Sequence, residues 1–168
     1  MQVDRKAYFR SVKLLLLTLG KTDSQHLRIL IDDFSRRLNR YLPFELAEIP
    51  DLKKKSKGDP GLVRESEARE ILKRVQPGDA IWLLDEGGKE YSSREFAARL
   101  QKGMNSGPKR LVLIIGGAYG HGPSVKQRAD ASISLSKMTY NHQVVRLMAV
   151  EQLYRAFTIL KGEPYHND

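Results

Sequence analysis

The residues best suited to acid–base chemistry lie near the carboxyl end of the chain. Glu151 and Arg155 are four residues apart in an apolar-periodic stretch, and this spacing places both on one face of a helix. His166 can titrate near neutrality, which suits a proton acceptor, and Tyr165 precedes it. On their own, however, such a pair is most often an ordinary helix ion pair, and a terminal "PYH" is normally a frayed tail. Both interpretations stay open at this point.

A glycine-rich turn, "GGAYGHG" (116–122), follows the apolar run "LVLIIGG". In open parallel sheets, ligands bind beyond the carboxyl ends of the strands, so this position favours a pocket over a spacer. A P-loop is excluded because no Gly-Lys-Ser/Thr follows, and the dinucleotide fingerprint Gly-x-Gly-x-x-Gly is absent. What the pattern allows is close approach of the backbone to a ligand. A plain turn between a strand and a helix is the alternative.

Strand and helix patterns alternate along the chain and predict an α/β fold: a single domain with a mainly parallel sheet, right-handed crossovers and helices on both faces. The first twelve residues have no strong pattern, and we expect a flexible extension over 1–12 and the domain over 13–168. The predicted strands are 13–20, 44–50, 80–86, 110–117 and a weaker 132–139, and the predicted helices are 23–42, 61–75, 92–104 and 142–160.

The composition is that of a basic globular protein. Among its 168 residues, 29 Lys and Arg face 20 acidic residues, a formal net charge of +9 that favours polyanionic partners. The densest cationic cluster, "KKKSK" (53–57), lies in a loop-like stretch and predicts either a phosphate contact or an exposed loop. The absence of cysteine excludes thiolate metal sites, and we expect no metal. No stretch approaches the ~20 apolar residues of a membrane helix, so we expect a soluble, cytoplasmic protein.

Motifs spread over nearly the whole chain from about Lys13 resemble the ribosomal RNA large subunit methyltransferase H family of the SPOUT class. The C-terminal marks "SKMTYNHQ", "EQLYRAF" and "PYH", in that order, are highly specific. The other matching marks are "LGK", "PFELAEIP", "LLDEGGKEYSS" and "IGGAYG". The family usually has proline where Asn141 stands, and asparagine is a good helix cap at that position.

The resemblance implies an enzyme that uses S-adenosylmethionine to methylate N3 of a pseudouridine in large-subunit (23S) ribosomal RNA on assembled ribosomes. It also implies a C-terminal trefoil knot, in which the terminal segment threads through a loop. The protein would be a homodimer with its active site near the interface. The apolar length of the last predicted helix also favours a dimer, since one sheet face does not cover so much hydrophobic surface.

By the same resemblance, cofactor contacts are expected from Gly116 and from Leu84 at the end of the third strand. The third contact is the loop formed by Leu135, Ser136, Lys137, Met138, Thr139 and Tyr140. An adenine needs an apolar slot and backbone hydrogen bonds to its edge, which three converging loops can provide. For a leucine taken alone, a place in the core is the better interpretation of Leu84 and Leu135.

The resemblance assigns the chemistry to the carboxyl end. Arg155 is expected to hold a phosphate or stabilise negative charge developing on the base, and Glu151 to orient it. His166 is the candidate proton acceptor, with Tyr165 stacking on the base or binding its edge. Two alternatives stay open: a non-catalytic RNA-binding α/β protein, and a nucleotide-binding enzyme of flavodoxin-like or Rossmann type, the latter weakened by the absent fingerprints.

Overall fold

In the computed structural model, which describes residues 12–50 and 59–167, five parallel strands form one sheet in the order β2-β1-β4-β3-β5. The strands are β1 (Lys13–Leu19), β2 (Phe44–Ile49), β3 (Asp79–Glu90), β4 (Arg110–Ile115) and β5 (Ala131–Ser134). The helices are α1 (Gln25–Leu38), α2 (Pro60–Leu72), α3 (Ser93–Asn105), α4 (Pro123–Arg128) and α5 (Val144–Lys161). The predicted mainly parallel α/β sheet is confirmed.

The sheet separates two apolar layers, because successive strand side chains point to opposite faces. Leu14 and Leu16 of β1 join the layer that contains α1, α3 and α5, whereas Leu15 and Leu17 join the layer that contains α2 and α4. Both faces are therefore covered by helices, as predicted. This explains why β1 and β4 are nearly continuous apolar runs.

Side-chain caps fix where several helices begin. Ser92 accepts a hydrogen bond from the Glu95 N–H while the Glu95 carboxylate accepts from the Ser92 N–H, a reciprocal capping box at α3. The predicted serine cap is confirmed. Ser24 caps α1 and Asp59 caps α2, each with a side-chain oxygen that accepts from backbone N–H groups of the first turn.

Helix α5 runs antiparallel to the strands, from the carboxyl edge of the sheet to the amino edge. Near its start, Arg146 donates to the carbonyl of Leu19 at the end of β1. Near its end, Phe157 stacks on Tyr41, just before β2 begins. The helix packs against α1 and α3, and its central apolar residues are buried in that layer of the same chain. Leu153 and Phe157 are thus covered within one chain, whereas Val144 is 38% exposed, and the dimer stays a prediction.

Several element bounds differ from the prediction: β3 reaches Glu90 instead of residue 86, and α1 ends at Leu38 instead of residue 42. The fifth strand ends at Ser134 instead of continuing to residue 139, because Ser134 donates to the carbonyl of Ser136 and Ser136 accepts from the Met138 N–H, which turns the chain. Helix α4 was not predicted, since six residues opening with Pro123 are too few to show a helical period.

Some expectations fall on other parts of the chain. The cationic cluster 53–57 and residues 1–11 lie outside the described residues. The first described residue, Val12, is buried in the core, and the extension over 1–12 stays a prediction. Within the described residues, no helix is long and apolar enough to cross a membrane.

Candidate functional site

Three segments enclose a cavity of about 550 Å³: the part of β3 around Leu84 and Glu86, where its register against β5 shifts, and the loops that follow β4 and β5. Ligands of parallel sheets bind at the carboxyl ends of the strands, as here. Seven of the eight residues predicted to contact a cofactor line it: Leu84, Gly116, Leu135, Ser136, Met138, Thr139 and Tyr140. The eighth, Lys137, does not line the cavity, and its ammonium group lies 3.7 Å from the Glu90 carboxylate.

The glycine turn after β4 forms one wall of the cavity, and it leaves little room for a side chain at Gly116 and Gly117. A Cβ on Gly117 would lie 2.5 Å from the carboxylate of Glu67 on α2, and one on Gly116 would lie 3.1 Å from the backbone of Gly120. The Gly120 N–H donates to the Gly117 carbonyl at 3.0 Å, and Gly120 has φ +78°, a conformation that favours glycine. The turn is therefore a compact part of the wall instead of a spacer.

His121 is a cavity residue that sequence reasoning missed. It is only 6% exposed, and its Nε2 lies 2.9 Å from the carbonyl oxygen of Leu84. Because a carbonyl can only accept, Nε2 carries the proton and Nδ1 is left as an acceptor. Burial lowers the pKa of His121 below its ordinary value, so the ring stays neutral near pH 7.

The loop after β5 is held to β3 by two side-chain contacts. Thr139 donates to the Glu86 carboxylate at 2.9 Å, and the Lys137 ammonium group lies 3.7 Å from the Glu90 carboxylate. Met138, which lies between these two residues in sequence, is 75% exposed, and Tyr140 also reaches the surface at the cavity. The third wall thus presents an apolar and an aromatic side chain to the outside.

A buried cation anchors the start of α5, which follows this loop directly. Arg146 donates to the Leu19 carbonyl at 2.6 Å, to the Thr22 hydroxyl at 2.9 Å and to the Glu48 carboxylate at 3.4 Å. Burial lowers the pKa of Arg146, and these acceptors compensate its desolvation. The cluster ties the beginning of α5, and hence the end of the third loop, to the carboxyl ends of β1 and β2.

The four residues predicted to carry the chemistry form a second cluster, beside the C-terminal half of α5. Arg155 donates to Glu151 at 2.7 Å, and Tyr165 donates to the same carboxylate at 3.0 Å. The guanidinium also lies 4.8 Å from the centre of the Tyr165 ring, and its Nη1 lies 3.2 Å from Nδ1 of His166. Burial, together with the bond to Glu151, raises the pKa of Tyr165.

The tail is therefore folded back on α5 and is not frayed at these positions. Tyr165 meets Tyr154 in an edge-to-face contact with centroids 4.8 Å apart. The interpretation of "PYH" as a frayed tail is wrong for Tyr165, because an aromatic ring next to another ring gains apolar contact that the strand and helix periods do not reveal.

The two clusters lie apart in one chain. Val145 lines the cavity, whereas Arg155 comes ten residues later on the same helix, about 15 Å along its axis at 1.5 Å per residue. None of Glu151, Arg155, Tyr165 and His166 lines the cavity. Within the described residues, no group of three or more metal-ligating side chains is placed to hold an ion.

Comparison with known proteins adds independent information. Residues 12–166 match the family described as "Predicted SPOUT methyltransferase". The chain is 53% identical over 152 residues to ribosomal RNA large subunit methyltransferase H of Christiangramia forsetii, covering 90% of this chain and 97% of the relative. It is 48% identical over 157 residues to the protein of the same name from Porphyromonas gingivalis, covering 94% and 100%. Likeness to solved structures is weak: the A. aeolicus TrmH/SpoU tRNA modifying enzyme has a TM-score of 0.48 at 13% identity, covering 97% of this chain and 86% of that one.

Proposed function

Because the chain belongs to the SPOUT methyltransferases, and within them to the ribosomal RNA large subunit methyltransferase H family, we propose that it methylates N3 of a pseudouridine in large-subunit ribosomal RNA. S-adenosylmethionine is the methyl donor, and the substrate is the assembled ribosome in the cytoplasm. The observation that carries the proposal is the convergence of seven predicted cofactor residues on one cavity.

The cavity fits an adenosine-containing donor. Its volume of about 550 Å³ suits a small-molecule ligand, and Leu84, Ile115 and Leu135 supply apolar wall. Gly116 leaves the space that a side chain would occupy, and the buried His121 offers a polar atom. When bound, S-adenosylmethionine supplies an electrophilic methyl group. The loops of this chain would hold it in place and exclude water, and such positioning supplies much of the rate of methyl transfer.

The tail cluster, formed by Glu151, Arg155, Tyr165 and His166, would stabilise the developing charge and accept the proton that leaves the base. Arg155 stabilises negative charge on the base as its N3 proton leaves, and Glu151 holds the guanidinium in position. His166 is the proposed acceptor of that proton, but its Nδ1 faces the Arg155 guanidinium, which can only donate. His166 therefore has to exchange this contact for the base before it can act. Tyr165 contributes a ring face for stacking or a hydroxyl for the edge of the base.

Two copies of the chain would complete the active site. A separation of about 15 Å along α5 is too large for the tail cluster to reach a ligand in the cavity of the same chain. A homodimer in which the tail cluster of one copy faces the cavity of the other removes this gap. The exposed Met138, Tyr140 and Val144 beside the cavity offer surface for such a contact. Light scattering at micromolar concentration is expected to give the dimer mass, and a monomer mass would contradict the shared site.

The C-terminal knot belongs to the same proposal. It is supported by the family to which the chain belongs. When the two ends are pulled apart with optical tweezers, a knotted chain stops short of its full extension of about 3.3–3.6 Å per residue. A chain that reaches full extension has no knot.

The direct test is to incubate assembled ribosomes with methyl-labelled S-adenosylmethionine and to map the labelled nucleotide. A single methylated pseudouridine in large-subunit RNA is expected. The alternative is a non-catalytic RNA-binding protein, which the basic charge of +9 favours. Calorimetry with S-adenosylhomocysteine separates the two, because an RNA-binding protein without catalysis need not bind it. Absence of both binding and label would overturn the proposal.

A further inference from the structure

The histidine at the end of the glycine turn has one ring nitrogen fixed and the other without a role. Nε2 of His121 donates to the Leu84 carbonyl. This bond joins the glycine turn to β3, and both segments are walls of the cavity. Cε1, the ring atom between the two nitrogens, lies 3.2 Å from the point that a Cβ on Gly116 would occupy. The ring edge therefore lies beside Gly116, and Nδ1 itself has no surface open to the cavity.

Nδ1 of His121 has no hydrogen-bond partner among residues 12–50 and 59–167, although it is fully buried. Burial of an acceptor without a partner is unfavourable, and native structures rarely leave one without a reason. The other polar atoms that hold the loops are used: Thr139 bonds Glu86, and Ser136 bonds Met138. The unsatisfied acceptor is thus a specific feature of this wall.

We propose that His121 is a cofactor-binding residue whose Nδ1 accepts a hydrogen bond from an N–H or O–H group of the adenosine part of S-adenosylmethionine. The inference rests on the proposed function and extends it by one residue. The donors that this part of the molecule offers are the exocyclic amine of adenine and the ribose hydroxyls. Nδ1 is covered by the wall in this structure, so the ligand reaches it only when the glycine turn shifts. By then accepting from one of these donors while donating to Leu84, His121 fixes the ligand relative to Leu84 in β3.

The surroundings keep His121 in the form that accepts. Asp85 and Lys126 are the charged groups that act on it, and they oppose each other: the carboxylate favours the protonated ring and the ammonium disfavours it. Burial outweighs the hydrogen bond to the Leu84 carbonyl and the Asp85 carboxylate, which both favour the protonated ring, and lowers the pKa of His121. A protonated ring would place a buried donor where the proposal needs an acceptor.

Two substitutions separate the nitrogens. In His121→Asn the amide oxygen occupies the place of Nδ1, whereas in His121→Gln the amide nitrogen can replace Nε2 and the Nδ1 acceptor is lost. We expect His121→Gln to weaken binding of S-adenosylhomocysteine about tenfold, the loss of one buried hydrogen bond, and His121→Asn to lose less. His26→Gln, on the exposed surface of α1, is the matched control and keeps wild-type affinity in calorimetry.

A second measurement needs no substitution. With ring-¹⁵N-labelled histidine, adding S-adenosylhomocysteine to the wild type is expected to move the Nδ1 resonance of His121 toward that of a hydrogen-bonded nitrogen and to leave His26 unmoved. Analogues without the 2′-hydroxyl or with a dimethylated exocyclic amine identify the donor. The analogue that lacks the donor to Nδ1 should bind the wild type more weakly than S-adenosylhomocysteine does. It should bind His121→Gln with the same affinity as S-adenosylhomocysteine, because that variant has already lost the hydrogen bond.

The outcomes separate this inference from the proposed function. If the wild type binds S-adenosylhomocysteine while Nδ1 of His121 does not move, the inference is wrong and the proposed function stands. An unmoved resonance is the result expected if water or a residue outside the described ranges already bonds Nδ1. Equal affinities of wild type and a folded His121→Gln have the same meaning. A wild type that binds no S-adenosylhomocysteine overturns both.

Discussion

The two edges of the sheet use the same strands in opposite ways. At the amino edge, Asp79 at the start of β3 receives two hydrogen bonds from Arg110 at the start of β4, at 2.8 and 2.6 Å, and one from the Gln76 N–H at 2.7 Å. Arg110 also donates to the Arg74 carbonyl, and Arg128 donates to the carbonyl of Asp79. The amino edge is closed by bonds that the chain makes with itself.

At the carboxyl edge the same strands end in loops that enclose space. Gly116 and Gly117 carry no side chains, and the segments around the cavity are joined by single hydrogen bonds such as that from Thr139 to Glu86. A buried acceptor of His121 lacks a partner within the described chain. The difference teaches that stability and binding are separated along each strand, so substitutions at the two edges should affect different measurements.

The largest effect, on the rate of methyl transfer, is expected from the tail cluster, which we propose acts on the substrate at the carboxyl edge. His166→Ala should lower methyl transfer to ribosomes by about 10²–10⁴-fold, the usual contribution of a general acid or base. Affinity for S-adenosylhomocysteine should not change, because His166 does not line the cavity. Raising the pH should partly restore the rate if loss of the N3 proton limits it. Transfer at the wild-type rate would remove His166 from the chemistry.

Removing residues 165–168 extends this test. The deletion also breaks the contact between Tyr165 and Tyr154, so we expect the free energy of unfolding to fall by about 1 kcal/mol. The loss of methyl transfer should match or exceed that of His166→Ala. A deletion that unfolds the protein would show that the tail belongs to the core.

At the amino edge the expected effect is on stability alone. The Asp79 side chain is 1% exposed, and Asp79→Asn leaves the Arg110 guanidinium without its counterion. We expect the free energy of unfolding to fall by about 3 kcal/mol. Below the unfolding transition, the affinity for S-adenosylhomocysteine and the rate of methyl transfer should stay at wild-type values. Urea titration gives the first quantity, and reduced affinity in the folded variant would contradict the separation of the edges.

The same ion pair predicts a pH dependence. Burial alone would raise the pKa of Asp79, but the hydrogen bonds from Arg110 and Gln76 outweigh it and hold the pKa below its ordinary value. Its stabilisation is therefore complete above the pKa of an unfolded aspartate, about 3.9, and is lost as pH falls through the folded pKa. Urea titrations from about pH 7 to about pH 3 should show the gap between wild type and Asp79→Asn closing in acid. A constant gap would contradict the assignment.

Gly116→Val should act only at the carboxyl edge. A Cβ at this position already approaches the Gly120 backbone at 3.1 Å and His121 at 3.2 Å, so the larger valine side chain has to displace the turn that forms this wall of the cavity. We expect the displaced wall to lower the affinity for S-adenosylhomocysteine by about 10–10²-fold, which corresponds to about 1.4–2.7 kcal/mol. Calorimetry measures it, and circular dichroism checks that the fold is retained. Unchanged affinity would remove the glycine turn from the site.

The smallest effect is expected away from both edges. Leu62 on α2 is 60% exposed, does not line the cavity and takes no part in the Asp79–Arg110 ion pair. Leu62→Ser should change the free energy of unfolding by less than about 0.5 kcal/mol and leave binding unchanged. A larger change in either would show that α2 contributes surface to a contact outside one chain.

The sheet could be predicted because its central strands, covered on both faces, are apolar runs that differ from the amphipathic helices between them. The pairing of Glu151 with Arg155 followed from helical spacing alone. His121 could not be found in this way, because its burial depends on Leu84, 37 residues earlier in the chain. The distance between cavity and tail was also hidden, since it results from the direction in which α5 crosses the sheet.

The shared active site is tested most directly by mixing two impaired variants at a concentration of S-adenosylmethionine well below saturation. Gly116→Val has an impaired cavity and an intact tail, and His166→Ala has an impaired tail and an intact cavity. After subunit exchange, half of the dimers are mixed and each has one intact site, so about a quarter of the wild-type methyl transfer should return. A mixture no more active than the better variant alone would contradict an active site built from two chains.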